Sequence, residues 1–142
     1  FLAPMKFLFC FLLLPLLLYA EQNSASLLVG RWMGNGKNEV AYIQFDGDGF
    51  ASFQIDGDIV GGKEFMLEGV KFSMSYTVTD STTPLEVDLL LKNEATKEER
   101  TMRMIAKFYG KDSLQLGSNF NEIRPTEFTV DNAIMLERSL KE

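Results

Sequence analysis

The sequence contains no histidine and a single cysteine, Cys10. Without histidine there is no Ser-His-Asp or Cys-His catalytic arrangement, and no His-ligated zinc, haem or non-haem iron. One cysteine permits no disulfide within the chain. Basic residues are few: 14 Lys and Arg stand against 20 Asp and Glu, a formal net charge of -6. That balance argues against a nucleic-acid partner, which needs a basic footprint. No Pro/Gly/Ser-rich linker and no internal repeat divides the 142 residues, a length suited to one domain. Apolar side chains are plentiful. Hydrophobic residues make up 46% and charged residues 24%, which places the chain with globular rather than disordered proteins.

Met5-Lys6 precedes an uncharged apolar run from Phe7 to Ala20. A bilayer-spanning helix needs about 20 such residues, so the run is short for one. One positive charge, a Leu/Phe-rich stretch and a small residue at its end describe a secretory signal peptide over residues 5–20. Leu18 and Ala20 suit the two specificity positions before a cut, which puts the mature start at Glu21. Phe1 to Pro4 precede the expected initiator Met5 and are left out of the fold reading. Cys10 has Phe9 before it and Phe11-Leu12-Leu13-Leu14 after it, unlike a lipoprotein signal, where small residues precede a cysteine that ends the apolar run. The expectation is an exported protein, periplasmic or secreted, with no stable membrane insertion after cleavage. Its mature part, residues 21–142, carries no thiol and relies on its core alone. A chain of this size buries roughly two-thirds of its unfolded surface, enough for one core.

Beyond residue 20 the apolar period is two almost throughout. Val70, Phe72, Met74, Tyr76 and Val78 alternate with polar residues, as do Leu85, Val87, Leu89 and Leu91, and then Met102, Met104, Ala106 and Phe108. Leu90 and Ile105 break the polar faces. Such segments read as antiparallel strands with one covered and one wet face. Less regular strands are expected at Leu27–Gly34, Val40–Asp46, Phe50–Asp56, Ser113–Gly117 and Ala133–Ser139, eight in all. Asn35-Gly36, Asp46–Gly49, Gly61-Gly62 and Tyr109–Asp112 supply turn residues, and the charged connection Asn93–Arg100 has room for one helical turn. No helical face of three turns is expected. Eight short strands with short links point to a closed up-and-down barrel or a sandwich, and closure removes exposed edges.

Gly30-Arg31-Trp32 on the first strand and Arg138 on the last resemble the lipocalin-type signature, in which a Trp plugs one end of the barrel and a late Arg packs across it. A guanidinium over an indole gains cation–π energy while its donors meet carbonyls. Tyr76-Thr77-Val78, Thr83–Asp88, Phe108–Leu116, Arg124-Pro125-Thr126-Glu127-Phe128 and Leu136-Glu137-Arg138 follow in an order similar to the small lipocalin-like domain of exported bacterial proteins, a family of uncharacterised function. The resemblance covers most of residues 27–139, and the Arg-Pro-Thr-Glu-Phe block is its most specific part. Gly117 stands where that family often has Cys, and Ala106 where it often has Gly. The resemblance implies an all-β, eight-stranded antiparallel up-and-down lipocalin-like barrel, closed by Trp32 and Arg138. It implies no activity, because fold does not fix function.

Asp46-x-Asp48 and Asp56-x-Asp58 invite a calcium reading. Counted from Asp56, position five is Val60 and position twelve is Leu67, so the pattern fails and hairpin turns explain it better. Glu86 and Asp88 lie two apart on a strand face read as wet, a poor place for a catalytic carboxylate pair. Arg124-Pro125 reads as a loop stiffener that bonds carbonyls, in preference to an anion clamp at the mouth. No catalytic, cofactor-binding or metal-binding residues are assigned. The inward list is mostly large (Trp32, Ile43, Phe45, Phe53, Ile55, Phe72, Met74, Tyr76, Leu89, Met104, Phe108, Leu114 and Leu116), with Ala41, Ala51 and Ala106 small. An eight-stranded barrel is either filled by side chains or holds one small ligand, and this list favours a filled or narrow interior. Phe72, Met74, Tyr76, Leu89, Met102, Met104 and Phe108 are the candidate ligand or lumen residues. The expected protein is a monomeric, non-enzymatic barrel that binds a small apolar or amphipathic molecule at its mouth. The alternative is a filled barrel acting as a structural or protein-interaction module.

Overall fold

A computed structural model of the chain describes residues 23–35 and 40–140. The expected signal peptide at 5–20 and the Gly36 turn lie outside the described residues. One short helix, α1 (Ser24–Leu28), comes first; Asn23 caps it, its Oδ1 accepting from the Ser26 amide at 2.8 Å. Ten strands follow: β1 (Gly30–Asn35), β2 (Val40–Phe45), β3 (Ala51–Ile55), β4 (Asp58–Gly61), β5 (Phe65–Leu67), β6 (Val70–Thr79), β7 (Leu85–Asn93), β8 (Glu99–Tyr109), β9 (Ser113–Ser118) and β10 (Ala133–Arg138). They form a single antiparallel sheet in the order β4-β3-β2-β1-β10-β9-β8-β7-β6-β5, coiled into a nearly closed barrel.

Two expectations change here. The first expected strand, from Leu27, begins only at Gly30, because the Asn23 cap draws Ser24–Leu28 into a helical turn. The strand count is ten rather than eight, because residues 58–67 form β4 and β5. Their apolar residues stand side by side, Ile59-Val60 and Phe65-Met66-Leu67, so no period of two shows between the flanking glycines. Hairpin β3–β4 turns at Asp56-Gly57 and hairpin β5–β6 at Glu68-Gly69, with both residues of each turn at positive φ. Between Asn93 and Glu98 the chain makes one helical turn, the Lys97 amide donating to the Asn93 carbonyl at 2.8 Å.

The seam of the barrel lies where β3, β4, β5 and β6 meet. Near the start of β3 closure is direct: the Tyr76 amide donates to the Gly49 carbonyl at 2.9 Å, Met74 to Gly62 at 2.8 Å, and Phe50 bridges Ser75. Farther along, β4 stays with β3 and β5 with β6, and no ladder joins β4 to β5. Gly61 ends β4 at φ +118°, and a Cβ there would lie 2.5 Å from the Ala51 carbonyl oxygen, so only glycine fits this corner.

Alternation then sorts the side chains. Trp32, Phe45, Ala51, Val87, Met104, Ala106, Leu114 and Leu136 pack the interior, each at most 2% exposed. Ile55, expected inside, is 45% exposed because it ends β3 at the hairpin rim. The outer face of β7, β8 and β9 is not uniformly wet. The segment after β9 lies across it: Phe128 reaches Gly117, where a Cβ would sit 3.1 Å from the Phe128 ring and 3.0 Å from Ile105. Ile105 is thereby buried on the outward face of β8, which accounts for the break in that strand's alternation.

Candidate functional site at the barrel mouth

One end of the barrel is sealed. α1 lies over it, Leu28 is buried, and its carbonyl accepts from the Trp32 indole N–H at 2.8 Å. The Arg138 guanidinium lies over the indole, 4.3 Å from the ring centroid. Its donors reach the carbonyls of Leu27 (2.7 Å), Val29 (2.9 Å) and Lys111 (2.7 Å), and its Nε lies 3.3 Å from the Asp112 carboxylate. Gly30 makes room for the planar group: a Cβ there would be 2.6 Å from Arg138 Nη1.

The opposite end carries an open cleft of about 390 Å³. Phe53, Met74, Leu89, Leu91 and Met102 line it from the barrel, and Phe120, Asn121 and Glu122 from the segment after β9. Strand register explains the grouping. Leu89 pairs with Tyr76 on β6 and Met102 on β8, and Leu91 with Met74 and Arg100, so alternate positions of three neighbouring strands converge on one side. Leu89, 3% exposed, forms the floor, and Phe120, 79% exposed, stands at the rim with φ +56°. An adjoining vestibule of about 910 Å³ is bounded by Phe72, Asn93, Glu98 and Glu99, and shares Leu91, Arg100 and Glu122 with the cleft.

Of the seven residues assigned to the lumen from sequence, Met74, Leu89 and Met102 line this cleft, and Phe72 lies in the vestibule with its ring 5.9 Å from that of Phe65. Met104 lies in the packed interior, 2% exposed. Tyr76 packs edge-on against Phe45 at 5.0 Å and donates its hydroxyl to the Asp46 carbonyl at 2.7 Å. Burial, then the negative charges of Asp46 and Asp48, push its phenol pKa up. Phe108 belongs to the sealed end, 6.2 Å from Trp32. Sequence reasoning missed Leu91, Arg100, Phe120, Asn121 and Glu122 as site residues. Alternation reaches Leu91, the next inward position after Leu89. Phe120 sits in an irregular stretch where no period applies.

The other sequence candidates are occupied structurally. Arg124 donates to the Met104 carbonyl at 2.8 Å, lies 2.8 Å from the Asp88 carboxylate and 3.6 Å from that of Glu86. It pins the segment after β9 to the barrel wall, and the two carboxylates face a guanidinium in place of open water. Asp46 accepts from the Gln44 side-chain amide at 2.7 Å, and Asp56 forms the β3–β4 turn. Among the described residues no group of three or more Asp, Glu or Cys side chains is placed to hold a metal ion. A further groove on the outer face of β6 and β7 is lined by Lys63, Glu64, Lys71, Lys92, Glu94 and Glu99, and is largely charged. Lys71 pairs there with Glu64 at 3.1 Å. Ser73 donates to Glu94 at 2.8 Å; that hydrogen bond, then Lys97, lowers the Glu94 pKa. No helix of the described residues is long and apolar enough to cross a membrane.

No protein-family model, curated protein or solved structure matches this chain. The site itself is a barrel sealed at one end by Trp32 and open to an apolar cleft at the other.

Proposed function

We propose that the protein is an exported, non-enzymatic, lipocalin-like barrel that binds a small apolar or amphipathic molecule at its mouth. The observation that carries this reading is the cleft over Leu89, where Phe53, Met74, Leu91, Met102 and Phe120 present apolar surface to solvent. Methionines suit such a wall because their unbranched side chains adapt to different shapes. The packed interior below Leu89 limits depth, so a short acyl or aromatic group fits and a long buried chain does not. Affinity is expected in the micromolar range, roughly -8 kcal/mol.

The test is a titration with N-phenyl-1-naphthylamine, a neutral apolar dye that reports through its own emission. Saturable binding is expected, weakened about fivefold or more in Phe120→Ser, an exposed change that leaves the core intact. Met104→Ala opens space beneath the floor and is expected to tighten binding while costing about 2–5 kcal/mol of stability. No saturable binding by the native protein or by Met104→Ala would sink the proposal. Export is tested separately, by intact mass: secreted or periplasmic material is expected to start at Glu21.

A second reading is a protein-interaction module. Exposed apolar side chains favour it: Ile59 is 68% exposed, Met66 59% and Ile123 69%. Partner binding weakened by substitution of these side chains, undisturbed by dye and without dye binding of its own, is the outcome that selects it.

A further inference from the structure

The mouth has a charge pattern as well as an apolar wall. The vestibule joined to the cleft carries Glu98 and Glu122 against a single cation, Arg100, with Glu99 at its edge, opposite Lys92 in the β7–β8 ladder and shared with the outer groove. Arg100 and the three glutamates are exposed. Among the described residues none of the three glutamates forms an ion pair; the lysines and arginines that do pair take Glu64, Glu86, Asp88, Glu94 and Asp112. Leu91, Arg100 and Glu122 border both spaces, so a molecule seated in the apolar cleft has its exposed end among these carboxylates.

We propose that the ligand is a cationic amphiphile, with an apolar group in the cleft and an ammonium or similar positive head in the vestibule. This rests on the mouth being a binding site, and adds the sign of the head group. Glu98 and Glu122, with Glu99 at the edge, outnumber the one guanidinium, so they attract a cation and repel a carboxylate of the same chain length. Each exposed pair contributes little alone, so the combined preference is about tenfold at low ionic strength. Salt screens it, because the Debye length falls from about 10 Å at 0.1 M to about 3 Å at 1 M. A cation also meets the negative field of the whole chain, so the site-specific part must be separated from net charge.

The experiment is calorimetric titration of the full mature protein with decyltrimethylammonium, decanoate and neutral decanol, each below its aggregation concentration. The expected order is decyltrimethylammonium first, about tenfold tighter than decanoate, with the difference shrinking to about twofold in 1 M NaCl. Glu98→Gln/Glu99→Gln/Glu122→Gln is expected to abolish the preference between decyltrimethylammonium and decanoate. A charge-matched control away from the mouth, Asp48→Asn/Asp80→Asn/Glu127→Gln, is expected to keep it. Equal loss in both triple variants would reduce the effect to bulk charge and overturn the proposal. Equal binding of the three ligands by the native protein overturns it too, while leaving the mouth as an apolar site. Tighter binding of decanoate makes Arg100 the anchor, also against the proposal. If none of the three ligands binds, the mouth reading itself fails.

Discussion

The guanidinium of Arg138 covers the Trp32 ring at 4.3 Å and at the same time donates to the carbonyls of Leu27, Val29 and Lys111. One side chain thus ties the first strand, the last strand, the helix and the β8–β9 turn together at the sealed end. Trp32→Ala is expected to cost about 3–5 kcal/mol as a large-to-small core change. Arg138→Ala is expected to cost less, with a coupling of about 0.5–2 kcal/mol to Trp32 in a double-mutant cycle read by urea unfolding. Arg138→Lys should recover little, because an ammonium reproduces neither the flat stack nor the fork of donors. Zero coupling would mean that the stacked pair adds nothing beyond its separate contacts.

Gly61 and Gly62 both have positive φ, but only Gly61 is crowded, by the Ala51 carbonyl. Gly61→Ala is expected to destabilise by about 1–3 kcal/mol, through backbone strain and the clash with β3. Gly62→Ala has open space around its Cβ and should cost less. Thermal midpoints of the two variants check this, and equal shifts would place the effect in φ alone.

Arg124 stands between Glu86, Asp88 and the Met104 carbonyl and holds the segment that bears Phe120. Its side chain is 20% exposed and that of Asp88 28%, so solvent screens the pair only in part. Arg124→Met is expected to cost about 1–3 kcal/mol, since it leaves two carboxylates close together and a carbonyl unpaired. Dye binding at the mouth should also weaken, because Phe120 loses its anchor. Unchanged binding with lowered stability would uncouple the segment's attachment from the site.

Tyr76 sets an alkaline limit. Its phenol pKa is raised above the ordinary 10.0 by burial and by Asp46 and Asp48, so the folded state holds the proton more tightly than the unfolded chain. This contribution is fully present below the unfolded value and is lost as pH rises through the folded one. Native protein should therefore lose stability above about pH 10, and Tyr76→Phe should lose less over that range. Denaturant midpoints against pH, with phenolate absorbance recorded in parallel, measure it. Parallel pH profiles for the two proteins would remove Tyr76 from the effect.

The period of two by itself determined a good deal. Val70–Val78, Leu85–Leu91 and Met102–Phe108 are strands with the apolar face inward, because one residue's shift in register would expose every one of those side chains. The lipocalin-type resemblance pairs Trp32 with Arg138, and the two face each other in the β1–β10 ladder. Tertiary structure decided the rest. Whether Gly61-Gly62 is a simple turn or the corner of a barrel seam depends on the Ala51 carbonyl next to it, which is remote in any local pattern. Ile105 breaks the alternation because Phe128 lies over the outer face beside it, and Glu86 and Asp88, on a face that alternation reads as wet, are met by Arg124. The mouth was half legible: Met74, Leu89 and Met102 follow from alternation, whereas Phe120 and Glu122 come from an irregular segment whose path is set by long-range contacts. Local periodicity encodes which face a strand buries. It carries no information about which distant segment lies across that face, because that choice is made by packing between parts of the chain far apart in sequence.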